Sequence, residues 1–275
     1  MLRKCGNRDE QMLEEYLGAE KEYNTFLLAD LKTYGFDSEC QDVWMDWEDG
    51  RCTCVYLRFY NNLLVYSREG ALNPESMEYI LKNCQIFVIM GKSGLLSEMG
   101  AVFGDRYKSS SKQLYRLGTR ENLCGTDRRE RQQESADHEE HCSVVQAGLE
   151  DVDDIYEFLG SIPQIRGLYR SKDMIRDRIA NRDGTHLIIR RGSRIVSHGN
   201  STTGSDDTVM IGGVATDPAH RRNGYASMVV SRLAEMILEQ GKIPCLFSGE
   251  GAHAFFERLG FESLGGWMTL ERNSG

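Results

Sequence analysis

The stretch that decides the fold is Val214-Ala215-Thr216-Asp217-Pro218-Ala219-His220-Arg221-Arg222-Asn223-Gly224-Tyr225-Ala226. The apolar residues that lead into it, 208–216, have the length and composition of a strand. Residues 226–240, which follow it, are predicted to form a long helix that stops at Gly241. The apolar face of this helix consists of Ala226, Val229, Val230, Leu233 and Ile237. The sequence therefore predicts a strand and a long helix joined by a turn of small residues that main chain can approach closely.

This turn has the properties of a phosphate site. The amides of residues 222–227 are the first-turn donors of the predicted helix and have no partner within it, and the positive end of the helix dipole points the same way. Arg221 and Arg222 add positive charge beside them. The pair Gly212-Gly213 in the preceding strand indicates a β-bulge, which would part this strand from its neighbour and leave main-chain groups open.

The rest of the C-terminal half follows a regular order. We predict strands at residues 142–147, 186–190, 194–198, 208–216, 245–247 and 266–271, and helices at 151–159, 172–181, 226–240 and 252–259. The N-terminal half has helical spacing at residues 12–17, 26–31 and 95–102, and strands at 43–48, 52–59, 63–68 and 85–90. Another helix is predicted to begin at Pro74 with Asn73 as its cap. The fold class is α+β: a central mixed sheet flanked by helices, preceded by a second, smaller α+β domain.

The domain boundaries come from a change in composition. Residues 107–141 contain a serine run and a charged segment, 128–135, which has almost no aliphatic side chains and buries too little apolar surface to order itself. We therefore expect an N-terminal accessory domain at 1–106, a charged linker at 107–141 and a second domain at 142–275. Within the linker, residues 112–117 could still form one strand.

Composition excludes several classes of function. A formal net charge of −9 argues against nucleic-acid binding, which needs a basic surface, and no apolar run is long enough to predict a membrane helix or a secretory signal. The eight cysteines are scattered, without the spacing of a metal site, and predict reduced thiols in the cytoplasm. Gly91-Lys92-Ser93 is similar to the end of a phosphate-binding P-loop, but Ile86 stands where that motif needs its first glycine.

The motif Arg221-x-x-Gly224-x-Ala226 resembles the acetyl-CoA signature of the GNAT superfamily of N-acetyltransferases. The resemblance extends over residues 142–275, where the order of strands and helices also follows the family. It includes Phe255-Phe256-Glu257-Arg258-Leu259-Gly260-Phe261, which looks like the family's late helix. It implies a GNAT-like fold in this half, and an N-terminal domain that could be a partial copy of it.

By this resemblance the co-substrate is acetyl-CoA. Val214, Ala215 and Thr216 are expected to lie along its pantetheine arm, and the pyrophosphate is expected to be held by Arg221, Arg222, Asn223, Gly224, Tyr225, Ala226 and Ser227. Phe256 stands near the thioester, where the family often has a tyrosine that protonates the departing thiolate. Because phenylalanine has no proton to give, another donor must serve or the thiolate must leave unaided, which a thiol pKa near ~8.5 permits.

The residues leave the general base open between His198, at the end of a central strand, Glu250, in the loop after residues 245–247, and His253, on the last helix. The loop at 160–166 resembles the family's acceptor-lining segment, and Tyr169 follows it. The predicted reaction is direct transfer of acetyl to a small-molecule or peptide amine in a ternary complex. The alternative is a non-catalytic acyl-CoA sensor, and a homodimer is compatible with either.

Overall fold

The computed structural model describes residues 1–98, 104–124, 142–167 and 169–273. Contacts divide the chain into an N-terminal unit, formed by Met1–Leu114, Ser248–Gly251 and Ser263–Gly275, and a C-terminal unit, formed by Tyr115–Phe247 and Ala252–Glu262. The last segment of the chain is thus grouped with the N-terminal unit. The start of the expected linker is a strand, while its charged part at 128–135 lies outside the described residues. The boundaries 1–106, 107–141 and 142–275 remain a prediction.

The N-terminal unit has a sheet with helices on both faces. Its elements are β1 (Leu2–Lys4), α1 (Glu10–Gly18), α2 (Thr25–Tyr34), β2 (Gln41–Glu48), β3 (Arg51–Phe59), β4 (Asn62–Tyr66), α3 (Pro74–Asn83), β5 (Val88–Lys92), α4 (Ser93–Ser97) and most of β6 (Tyr107–Arg116). The sheet order is β1-β2-β3-β4-β5, and the last strand of the chain, β12 (Glu262–Arg272), follows β5. Only the β4–β5 pair among these is parallel.

Two apolar layers hold this sheet. On one face, side chains of α1 and α2 such as Leu13 and Leu27 pack with Met45 and Val55. On the other, α3 contributes Met77 and Ile80, which are fully buried with Tyr56, Leu63 and Ile89. Alternate residues of each strand thus face opposite helical layers, as the period of two in a strand requires.

The C-terminal unit is built in the same way. Its elements are β7 (Val145–Gln146), α5 (Val152–Ser161), α6 (Asp173–Asn181), β8 (His186–Arg191), β9 (Arg194–Gly204), β10 (Thr208–Thr216), α7 (Tyr225–Glu239), β11 (Ile243–Ser248) and α8 (His253–Arg258). The sheet order is β7-β8-β9-β10-β11, antiparallel except for the parallel β10–β11 pair. Helix α7 covers one face with Val229, Val230 and Leu233. Helices α5 and α6 cover the other with Ile155 and Ile175.

Among the described residues, each half of the chain has the same order of helices and strands. The series strand, two helices, three strands, helix, strand, helix, strand describes both β1 to β6 and β7 to β12. The fourth and fifth strands of each series, β4 and β5 or β10 and β11, form the parallel pair and are joined by the helix α3 or α7. Such a crossover needs a helix to return the chain to the same end of the sheet. The N-terminal half therefore repeats the topology of the C-terminal half.

Most of the predicted elements are confirmed, and the differences lie at edges. The strand expected at 142–147 is reduced to Val145–Gln146, because β7 lies at the edge of its sheet and has only β8 to pair with. The helix expected at 95–102 is observed as Ser93–Ser97, and residues 99–103 lie outside the described residues. The cap of α3 is as predicted: the Asn73 side chain accepts hydrogen bonds from the amides of Glu75 and Ser76.

Replacing this cap should destabilise the protein. We expect Asn73→Ala to lower the free energy of unfolding by about 0.5–2 kcal/mol, because two amides at the start of α3 lose their acceptor. Urea titration followed by circular dichroism measures the change. Asn83→Ala is the matched control: Asn83 donates to the Tyr79 carbonyl at the far end of α3 and makes no other side-chain bond within the described residues, so its loss should cost less. Equal losses would contradict the role given to the Asn73 cap.

Candidate functional site

The parallel strands β10 and β11 part before either one ends. Pairing runs from Thr208↔Ile243 to Ile211↔Leu246 and stops there, although β10 continues to Thr216. The edge of β10 beyond Ile211 is therefore not paired with β11. Main-chain groups along such an edge can bind an extended ligand as another strand would.

A β-bulge causes the parting. Gly212 is opposite Asn200 and Ala215 is opposite His198, so three steps along β10 match two along β9. Gly213 lies within the extra step with φ +59°, a conformation that glycine adopts without strain. A Cβ there would collide with the Asn200 side chain and approach the His198 ring at 3.1 Å. The bulge predicted from Gly212-Gly213 is thus confirmed, and no side chain fits at Gly213.

The loop between β10 and α7 is held by its own polar groups. Asp217 accepts a hydrogen bond from the Ala219 amide at 2.8 Å, Arg221 donates through Nε to the Thr216 carbonyl, and Asn223 donates to the His220 carbonyl. The chain enters α7 through Gly224, with φ +83°. These bonds fix the loop without using its last amides.

Those amides point to an anion site. Among the described residues we find no acceptor for the main-chain N–H groups of Arg222, Asn223, Gly224, Ala226 and Ser227; the next amide, that of Met228, donates to the Gly224 carbonyl. Helix α7 has 15 residues, so the positive end of its dipole is well developed here. Unpaired donors at the start of a helix are a known way to bind phosphate.

The neighbouring side chains suit the same ligand. Arg221 and Arg222 are exposed, and neither forms an ion pair with any residue in the described ranges. Two guanidinium groups beside these free amides would neutralise a pyrophosphate. Tyr225 is buried instead and belongs to the apolar core beneath α7, so it anchors the loop.

The three residues expected along the pantetheine arm face different ways. Ala215 is buried against the α5 and α6 layer, whereas Val214 is half-buried and packs with the core under α7. The Thr216 hydroxyl lies 3.0 Å from the Ser197 hydroxyl, which also donates to the Ala215 carbonyl. Contacts from this segment to an extended ligand would therefore come from its main chain.

Phe256 is a core residue. It is 7% exposed and contacts the rings of Tyr115, Phe255 and Phe261, in the same apolar core as Tyr225. Tyr115 does not supply the missing hydroxyl there, because its OH donates to Glu257 at 3.0 Å.

His198 is buried and paired. Its Nδ1 lies 2.8 Å from the Gly213 carbonyl and its Nε2 lies 3.0 Å from Nδ1 of His186, so both ring nitrogens are engaged. Burial lowers the pKa of His198 to about 4, although the bond to Gly213 opposes the shift. His186, which the sequence analysis did not single out, has its pKa lowered to about 3 by burial, with smaller effects from His198 and Arg178. The sequence pattern that bears on His186 is the two-residue period of a strand, which places it on the same face of the sheet as Ile188 and His198.

The other residues considered for catalysis or for contact with the acceptor differ in their burial and in their partners. Glu250 is exposed in the turn after β11, within a segment that is grouped with the N-terminal unit. His253 is half-buried, with its ring 6.0 Å from that of Tyr115. Tyr169 is buried beneath the Arg178 guanidinium, and burial raises the pKa of its hydroxyl. Arg166 donates to the Gly160 carbonyl and closes the loop at 160–166.

In the corresponding region of the N-terminal unit, the strands stay paired and the amides at the start of the helix already have acceptors. Strand β4 pairs with β5 up to Val65 and ends at Tyr66, with no shift of register against either neighbour. At the start of α3, Pro74 has no N–H, and Asn73 already occupies the amides of Glu75 and Ser76. The topology is repeated, but the parted strands and the free amides are not.

The C-terminal half of the chain matches a known family of transferases. The sequence profile of the acetyltransferase (GNAT) family matches residues 149–261, so the C-terminal half of this chain carries a GNAT acetyltransferase domain, and the family implies acyl transfer from acetyl-CoA. No curated protein matches the sequence significantly. Within the described ranges, none of the helices has both the length and the hydropathy of a transmembrane segment.

Solved structures show the same fold over nearly the whole chain. A Drosophila protein is similar with a TM-score of 0.67 and 12% identity, over 99% of this chain and 98% of its own. A GCN5-related N-acetyltransferase-like protein from Streptococcus suis has a TM-score of 0.56 and 15% identity, over 95% of this chain and 100% of its own. A tandem GNAT protein from the clavulanic acid biosynthesis pathway has a TM-score of 0.56 and 14% identity, over 100% and 99%. At such identities the likeness concerns the fold alone, and it accords with the repeated topology.

A charged side chain at Gly224 should block the anion site. We expect Gly224→Glu to weaken acetyl-CoA binding at least tenfold, about 1.4 kcal/mol, because it adds bulk and negative charge beside the free amides. Calorimetry measures the affinity. Gly241→Glu is the matched control: Gly241 also has a positive φ, +73°, but lies after the other end of α7 with open space around it. Unchanged affinity in Gly224→Glu, or an equal loss in both variants, would contradict the placement.

The capped start of α3 predicts how many molecules of acetyl-CoA one chain binds. We expect one acetyl-CoA per chain, because Asn73 and Pro74 leave the start of α3 without the donors that α7 offers. Titration of the full-length protein by calorimetry gives the number directly. Two sites of similar affinity would show that the N-terminal unit binds the co-substrate by another arrangement.

Proposed function

We propose that this protein is an N-acetyltransferase that transfers acetyl from acetyl-CoA directly to the amine of a small molecule or peptide, in a ternary complex. The observation that carries the proposal is the set of free amides at the start of α7, beside the parted end of β10. Pyrophosphate on the amides would direct the pantetheine along the open edge of β10, which brings the thioester to the bulge.

The amine has to lose a proton. An alkyl amine with a pKa near that of lysine, ~10.4, is almost fully protonated at pH 7 and cannot attack a thioester in that form. We propose Glu250 as the group that accepts this proton, directly or through a water, since its carboxylate is exposed to solvent. His198 is the second candidate. Both of its nitrogens are engaged, so it could act only through His186 or after a rearrangement.

The thiolate is proposed to leave without a dedicated acid. Phe256 cannot donate a proton, and the Tyr115 hydroxyl is engaged with Glu257. A thiol pKa near ~8.5 makes the free thiolate a tolerable leaving group in water. Direct transfer also needs no acetyl-enzyme, so none of the cysteines is required as a nucleophile. We place the reaction in the cytoplasm, because all eight cysteines lie in the described residues as free thiols.

An acyl-CoA sensor remains the second candidate because Phe256 stands where the family often has its acid. Full-length protein incubated with acetyl-CoA and a panel of amines separates the two functions. An enzyme releases free CoA thiol in proportion to the acetylated amine, which mass spectrometry identifies. Binding of acetyl-CoA without turnover of any amine would favour the sensor.

The proton step gives a sharper test. We expect kcat/KM to rise with pH towards a plateau, and Glu250→Gln to lower it at least tenfold with little change in acetyl-CoA affinity, because the amide cannot take a proton. Glu271→Gln, an exposed residue on β12, serves as the control and should match the wild type. If Glu250→Gln retains full kcat/KM, the carboxylate is not the base. A stable acetyl-cysteine trapped without acceptor would instead indicate a ping-pong route.

A further inference from the structure

Two imidazole rings are buried together under the bulge of β10. His186 on β8 and His198 on β9 are 1% and 0% exposed, and their ring centroids lie 5.2 Å apart. They lie on the face of the sheet that α5 and α6 cover, where Tyr169 is 6.0 Å from the His186 ring. Burying polar rings is unfavourable unless their hydrogen bonds are made, so this arrangement calls for an explanation.

The positions of the protons follow from the partners. The Gly213 carbonyl can only accept, so Nδ1 of His198 must donate to it. A neutral imidazole has one N–H, so Nε2 of His198 is then an acceptor, and Nδ1 of His186 must be the donor to it. Nε2 of His186 is left as a buried lone pair without a partner among the described residues.

We propose that His186 is a positioning residue for the acyl transfer, an inference that rests on the proposed function. Its N–H donates to Nε2 of His198, and this second bond adds to the Gly213 carbonyl in holding the His198 ring in its tautomer and orientation. The bond from His198 to the Gly213 carbonyl in turn fixes the bulge, and the bulge parts β10 from β11. The His186 ring therefore acts on the thioester site through His198 and needs no contact with the substrate.

The surroundings keep the pair neutral. Arg178 of α6 and Tyr169 are the charged and titratable groups that face His186, while β10 presents the main chain of Gly213 to His198. Protonation of His198 would put an N–H against the donor of His186. Because the pKa of His186 is lowered to about 3 and that of His198 to about 4, both rings are neutral at pH 7 and the bonding pattern persists there. A pair that serves as the base would instead titrate within the working range of the enzyme.

The tautomers can be read directly. We expect long-range imidazole ¹⁵N correlation spectra of the full-length protein to show a protonated Nδ1 on both His198 and His186, unchanged between pH 5.5 and 8. In His186→Leu, which removes the donor to Nε2, only the Gly213 carbonyl still favours the Nδ1-protonated tautomer of His198, so the Nε2-protonated tautomer should gain a detectable population. His186→Asn keeps an N–H near the position of Nδ1 and should restore the wild-type tautomer. Leu187→Ala, on the same strand but facing α7, controls for lost packing and should leave the tautomer alone.

Kinetics supply the second measurement. We expect kcat/KM to fall at least tenfold in His186→Leu and less than threefold in His186→Asn, with acetyl-CoA affinity within threefold of wild type, because the free amides of α7 are untouched. The kinetic pKa in the pH profile should be the same in all variants. An Nε2-protonated His198 in the wild type, or full kcat/KM in His186→Leu, would overturn the inference. A protein that binds acetyl-CoA but acetylates no amine would refute the proposed function, while the spectra would still decide the tautomer.

Discussion

The extra residue in β10 is the constraint on which the site depends. Because Gly212 to Ala215 spans three steps where β9 has two, β10 turns its remaining length away from β11, and pairing ends at Ile211. Main-chain N–H and C=O groups on this edge of β10 lack a strand partner, and unpaired groups of this kind are rare in proteins unless water or a ligand bonds to them. The loop that follows also ends in free amides at the start of α7. Both features suit one elongated ligand with an anionic end, as acetyl-CoA is in the function proposed above.

The two units share a topology but differ in a few local features where the candidate site lies. The two halves share the order of elements and the parallel pair with its helical crossover. In the N-terminal unit β4 has no bulge and ends where its pairing ends, and Asn73 caps α3 with its own side chain. One capping side chain and one regular strand satisfy the groups that the C-terminal unit leaves open. The N-terminal unit therefore repeats the fold without the features on which the proposed binding of acetyl-CoA depends.

The two buried histidines leave one ring nitrogen without a hydrogen-bond partner, which is unfavourable, while their other bonds fix the bulge of β10. A polar ring without solvent is tolerated when its bonds are made, and a buried acceptor left alone costs about 1–3 kcal/mol. In this pair three of the four ring nitrogens are engaged, and the unpartnered one belongs to the ring farther from Gly213. The hydrogen bonds run from His186 to His198 and from His198 to the Gly213 carbonyl at the bulge, and the unpartnered Nε2 of His186 lies at the other end of this series of bonds. Strain and unmet bonds of this kind tend to gather at functional sites.

The sequence by itself determined the α+β class, most of the helices and strands, the Asn73 cap, the bulge at Gly212-Gly213 and the resemblance carried by Arg221, Gly224 and Ala226, because each depends on neighbouring residues or a local period. Tertiary structure decided which residues share a core, with Phe256 set beneath α7 and Tyr225 among its partners. It also decided that His198 is paired with His186, twelve residues away along the chain but adjacent across β8 and β9. Strand register brings such side chains together, and no local pattern encodes a hydrogen bond between two strands.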